Sequence, residues 1–127
     1  MIRILLVCIA GAVGTGARYW TSAAALRAFG PAFPYGTLTV NVVGSFALAV
    51  IATLAIRAGV LSPTLQLTLG TGFCGGFTTY STFNFETMKY LQEGAWRLAL
   101  ANVALTLVTC MAAGFLGWLA ASAWLGK

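Results

Sequence analysis

The sequence predicts an all-α membrane protein with four transmembrane helices, the third of them broken. Three observations carry that expectation. Of 127 residues, 60% are hydrophobic and only 7% charged, against roughly 25% charged in soluble domains. Four stretches are apolar over about the 20 residues that a crossing helix needs: Ile4 to Leu26, Thr37 to Ile56, Leu65 to Phe85 and Leu98 to Leu125. The third lies in an uncharged run from Ala58 to Phe85, yet its centre reads Gly70-Thr-Gly-Phe-Cys-Gly-Gly-Phe-Thr-Thr-Tyr-Ser-Thr-Phe83. The four stretches use nearly the whole chain, so residues 1–127 form a single transmembrane domain.

The first stretch places Gly11, Thr15, Arg18 and Ser22 on one helix face by their spacing. Its alternative is a secretory signal with Arg3 as the basic end and Ala23-Ala24-Ala25 near a cleavage site. Gly11, Gly14, Gly16 and Arg18 interrupt the apolar core in a way that suits helix packing better. In the second stretch Thr37, Asn41 and Ser45 step by four, with Gly44 alongside. The fourth carries Asn102, Thr106, Thr109 and Cys110, followed by Gly114 and Gly117. Each stripe reads either as a packing seam or as one wall of a hydrated path.

The third stretch is the informative one. Gly70, Gly72, Gly75 and Gly76 weaken helical continuity, each by about 1 kcal/mol relative to Ala. A break there frees carbonyls inside the membrane, where only protein contacts or a bound ion can satisfy them. Thr78, Thr79, Ser81 and Thr82 add hydroxyl donors, and Tyr80 and Phe83 lie three apart on one face. Ring edges carry partial positive charge, so donors and edges together suit a small hydrated anion. The competing reading is a close helix contact at Gly72 and Gly76 with the aromatics as filler.

Charge decides two further points. The chain has no His, and Glu86 and Glu93 are its two acids, so catalytic dyads and metal clusters lack material and an enzyme is not expected. Cys8, Cys74 and Cys110 all fall in apolar stretches, where an odd count argues against a disulfide framework. Arg3, Arg57 and Lys127 share one side of a four-crossing chain, and Arg27, Lys89 and Arg97 share the other. Orientation follows a Lys/Arg excess, and this chain has none, which predicts insertion both ways. The net charge of +5 leans toward an anion, although lipid phosphates attract the same charges.

These residues resemble the CrcB/Fluc family of small fluoride channels. The likeness runs through Gly11-Ala-Val-Gly14 to Arg18-Tyr19, Gly36-Thr-Leu-Thr-Val-Asn41 and Thr71 to Phe83. It implies a fluoride-selective channel conferring fluoride resistance, multi-pass in a bacterial inner membrane, working as an antiparallel dual-topology homodimer with two pores. Its partners are then fluoride, membrane lipid and a second copy, with no nucleic acid. The resemblance further implies that Asn41 donates to fluoride and that Tyr80 and Phe83 form an aromatic box. Thr79, Ser81 and Thr82 then supply hydroxyls, Glu86 lies near the pore and Arg18 by a vestibule. Carbonyls of Gly75 and Thr78 from both subunits are implied to hold a structural Na⁺ at the dimer interface. Two departures stand out: Tyr80 replaces a usual Phe, and Cys110 and Gly114 align with a fourth-span hydroxyl track, for which Thr106 or Thr109 could substitute.

Two other function classes compete. Small dual-topology exporters match the length but need a mid-membrane acid in the first span, where this chain has Arg18. A non-transporting membrane subunit would use the glycine stripes for packing alone.

Overall fold

The computed structural model describes residues 1–126, and for Ala58 the backbone alone; Lys127, counted above in the charge balance, lies outside the described residues. Every regular element is helical. Helix α1 (Ile2–Phe29) ends at Gly30, whose φ of 75° reverses the chain ahead of Pro31 and Pro34. Helix α2 (Tyr35–Ala58) stops at left-handed Gly59. Both stops use conformations that other residues rarely adopt.

The third stretch is assembled from pieces. Helix α3 (Pro63–Gln66) begins with Pro63 in its first turn and Ser62 accepting from the Leu65 N–H. A π-helical stretch, Leu67–Cys74, follows, then one α-turn, α4 (Gly75–Phe77). Thr78 and Thr79 are extended, after which α5 (Tyr80–Gln92) starts afresh. Helix α6 (Trp96–Trp124) completes the chain. Among the described residues three helices are long and apolar enough to cross a membrane: Ile2–Phe29, Tyr35–Arg57 and Trp96–Trp124.

The break is not where the glycines are. Gly75 has ordinary helical angles, φ −63° and ψ −37°, and the interruption falls at Thr78 and Thr79. The glycines instead bring the segment against α1. A Cβ on Gly76 would collide with the Gly11 carbonyl, and one on Gly72 would lie 2.9 Å from both Ala10 Cβ and the Val7 oxygen. Gly14 of α1 meets the Phe73 carbonyl in the same way. The close helix contact expected as the alternative reading is therefore real, and the polar break exists as well.

Contacts fix relative directions. Val7 with Gly72 and Gly11 with Gly76 set α1 parallel to the broken segment. Phe46 and Ala49 against Gly117, and Arg57 with Ser122, set α2 parallel to α6. The interior between these helices is mostly small or polar: Val40, Cys74, Ala99, Ala113 and Ala121 are buried together with Asn41, Thr53, Asn102 and Thr106, and Phe77 and Phe83 are its large aromatics. Large apolar side chains such as Ile9, Leu100, Met111 and Phe115 face outward. Lipid is as apolar as Leu, so such a chain coheres through close packing and interhelical hydrogen bonds. Together these features describe a multi-pass membrane protein.

Candidate pore at the helix break

Two extended residues cost the segment its regular hydrogen bonds, and side chains from α1 and α2 replace them. Asn41 of α2 clasps Thr79 at both backbone groups: its Oδ1 accepts the Thr79 N–H at 2.8 Å and its Nδ2 donates to the Thr79 oxygen at 3.1 Å. Arg18 donates from Nε to the Gly76 oxygen at 3.1 Å, with the Thr15 hydroxyl at 3.5 Å from the same atom. A guanidinium at a helix C-terminus also meets the negative end of the backbone dipole. Arg18 thus turns inward onto the break instead of snorkelling along α1 to the headgroups.

The hydroxyls beyond the break form a local relay. Thr79 caps α5, accepting the Thr82 N–H at 3.2 Å. Its hydroxyl donates to Thr82 Oγ1 at 2.9 Å and lies 3.3 Å from Ser81 Oγ. Thr78 returns its hydroxyl to the Cys74 carbonyl at 2.9 Å. Its methyl fills the space a Cβ at Gly44 would occupy, so the small residue in α2 makes room for the kink.

Two cavities flank the Asn41–Thr79 clasp. One, of about 310 Å³, is lined by Asn41, Ser45, Thr78, Tyr80, Phe83, Thr106 and Cys110. The Tyr80 and Phe83 rings stand 5.6 Å apart at 55°, Phe83 buried and Tyr80 78% exposed. Asn41 has two N–H groups and gives one to Thr79, which leaves the other for this cavity. The second cavity, of about 260 Å³, is lined by Thr15, Arg18, Tyr19, Ser22, Thr37, Thr79 and Thr82. Of the predicted site residues, Asn41, Thr78, Tyr80 and Phe83 line the first cavity and Arg18, Thr79 and Thr82 the second, while Gly75, Ser81 and Glu86 line neither.

Glu86 and the fourth-span residues also find places. Glu86 Oε1 accepts from the Thr37 hydroxyl at 2.7 Å, while Lys89 pairs at 3.9 Å with Glu93. Glu86 and Lys89, three residues apart, are not paired. Among the three candidates on α6, Thr106 and Cys110 line the aromatic cavity. Thr109 is half-buried, lines neither cavity and returns its hydroxyl to the Leu105 carbonyl. Sequence reasoning missed Thr87, which joins Asn102 Nδ2 at 2.9 Å to the Phe83 carbonyl at 2.8 Å. Its spacing of four from Phe83 was the available signal.

The donor set also bears on a cation. In a continuous helix the Gly75 and Thr78 carbonyls would accept from the N–H groups of Thr79 and Thr82. Those donors are engaged by Asn41 Oδ1 and Thr79 Oγ1. Neutral carbonyl oxygens freed in this way suit a hard cation. No group of three or more His, Cys, Asp or Glu suited to a metal occurs among the described residues.

Comparison with known proteins agrees with this architecture. Residues 5–118 match the family described as CrcB-like protein, Camphor Resistance (CrcB). A protein of Anaeromyxobacter dehalogenans (strain 2CP-1 / ATCC BAA-258) named fluoride-specific ion channel FluC is 54% identical over 115 residues, covering 91% of each chain. Proteins of the same name from Sorangium cellulosum (strain So ce56) and Geotalea uraniireducens (strain Rf4) are 50% and 41% identical, covering at least 95% of each chain. These relatives are ion channels and not enzymes, in keeping with a sequence that offers so little catalytic material. A chain matched this fully belongs to the CrcB family.

Proposed function

We propose that the protein is a fluoride-selective channel that lets the ion leave the cytoplasm of a bacterium passively through the inner membrane, conferring fluoride resistance. The observation that carries this reading is the Asn41–Thr79 clasp beside the Tyr80–Phe83 pair. It puts a free amide N–H, hydroxyls and aromatic ring edges next to one cavity, and these replace the water around a small anion. The relatives' name, fluoride-specific ion channel, supports the same substrate.

In this reading the broken segment is the third of four crossings. Its outer side exposes Thr71, Gly75, Tyr80, Ser81 and Asn84, a polar face poorly suited to lipid. A second copy inserted in the opposite sense covers that face, and the even Lys/Arg distribution permits both orientations. Each of two pores then draws Asn41, Thr79, Ser81 and Thr82 alongside the ring edges of Tyr80 and Phe83. Arg18 supplies positive charge to the vestibule lined by Thr15 and Thr37, and Glu86, bonded to Thr37, stands near the pore. Gly75 and Thr78 carbonyls of both copies would hold a Na⁺, which when bound contributes fixed positive charge and joins the two breaks. The membrane potential, about 2.3 kcal/mol per charge per 100 mV, drives the anion outward without coupling.

Purified protein reconstituted in liposomes tests the proposal. Fast, electrogenic fluoride efflux with no chloride flux is expected. Dependence on a proton gradient would indicate a coupled exporter, and absence of flux would indicate a packing subunit.

A further inference from the structure

Two buried oxygens lack a hydrogen-bond partner among the described residues, Glu86 Oε2 and Asn102 Oδ1. Both belong to one junction of α2, α5 and α6. Glu86 is held from α2 by Thr37, and the adjacent Thr87 is held from α6 by Asn102. Leu98, one turn before Asn102, lines a cavity with Thr37 and Glu86. The parallel course of α2 and α6 adds to this: Asn41 and Thr106 share the aromatic cavity, and one turn earlier on each helix come Thr37 and Asn102.

The bonds already made fix which atom is which. The Thr87 hydroxyl gives its proton to the Phe83 carbonyl, so it can only accept from Asn102. That sets Asn102 Nδ2 toward Thr87 and leaves Oδ1 as the acceptor. Asn102 is 1% exposed, so solvent does not serve it. In an ionised Glu86 the Oε2 oxygen would be a second buried acceptor without a donor, and leaving a carboxylate oxygen desolvated and unbonded is costly. Two acceptors need one proton between them.

We propose that Glu86 is held as the neutral acid, its Oε2 bearing a proton donated to Asn102 Oδ1. Asn102 is then a positioning residue. Through Glu86 it ties α6 to α2, and through Thr87 it fixes the turn of α5 that carries Phe83. The charged and titratable groups around the junction are Lys89, Tyr90 and Glu93 on α5 and Tyr35 on α2, with Arg18 of α1 across the cavity that shares Thr37. Lys89 is paired with Glu93, and Tyr90 donates to the Ala32 carbonyl. Neither Lys89 nor Tyr90 is thereby tied to the Glu86 carboxyl. For the channel reading, on which only this consequence rests, a neutral wall does not repel the anion.

The chain's two acids make a direct test practical. Infrared spectra of the wild type in lipid at neutral pH, with isotope-labelled glutamate, are expected to contain a protonated carboxyl stretch. Glu93 is exposed and paired with Lys89, and Glu93→Gln, which should leave the protonated band in place, assigns that band to Glu86. Glu86→Gln should abolish the protonated band while the protein still assembles, because the amide can donate to Asn102 and accept from Thr37. Asn102→Leu should move the band toward that of a carboxyl without an acceptor. A wild-type spectrum with no protonated band overturns the proposal without needing any variant. A band indifferent to Asn102→Leu overturns the pairing. Fluoride flux with no such band would sink this inference and leave the channel, whereas the band without flux would do the reverse.

Discussion

The run from Gly70 to Phe83 contains two neighbouring regions that solve different problems. From Gly70 to Gly76 the chain stays helical, though underwound into a π-helical stretch as far as Cys74, and its glycines admit the backbone of α1. From Thr78 to Phe83 the helix is lost and regained, and side chains of α1 and α2 satisfy the freed groups. The first region is seam and the second is chemistry. Glycine therefore marks where helices meet, and the polar residues just past it mark where the helix opens.

The largest effect expected from separating these regions is on stability. Gly76→Ala forces a methyl against the Gly11 carbonyl, whereas Gly75→Ala meets nothing within 4 Å in the same chain. Overpacking of this kind costs about 1–3 kcal/mol, so Gly76→Ala should lower thermal stability in detergent while Gly75→Ala leaves the single-chain fold intact. Equal stability of the two variants would break the division between seam and site.

Next comes the clasp. Asn41→Asp removes the N–H given to Thr79 and turns a carboxylate toward its carbonyl and the anion. Loss of a buried bond at about 1–3 kcal/mol, with added repulsion, is expected to cut fluoride flux in liposomes at least about tenfold. Good conduction in the variant would mean that the clasp is structural only. Phe83→Ile should act more weakly, because apolar volume is kept and a ring-edge interaction of about 1 kcal/mol is lost. The flux should fall several-fold with assembly unchanged.

The smallest contrast lies within α6. Thr106→Val removes a hydroxyl from the wall of the aromatic cavity and should slow fluoride modestly. Thr109→Val removes one already returned to Leu105 and outside that cavity, and should leave the flux alone. Comparable losses in both would place the polar track elsewhere on the helix.

Much of this was legible in the residues. The apolar stretches at 4–26, 37–56 and 98–125 became α1, α2 and α6, within a few residues at each end. The polar stripes at Asn41, Arg18 and Thr106 did face the interruption. The position of the interruption was not legible, since glycine propensity predicts weakness over the whole run and close packing against α1 overrides it. Nor did sequence spacing reveal that Glu86 would bond Thr37 in preference to Lys89. The distance between those residues along the chain hides a contact that only packing creates.

The methyl of Thr78 seated in the notch at Gly44 bears on rate control. Straightening the segment would evict that methyl and leave a void between two tightly apposed rods, so the bend is wedged in place. A conduit with a wedged bend has no leaf to swing. In the proposed channel, throughput would then follow voltage and concentration, in the manner of a fixed orifice plate rather than a valve.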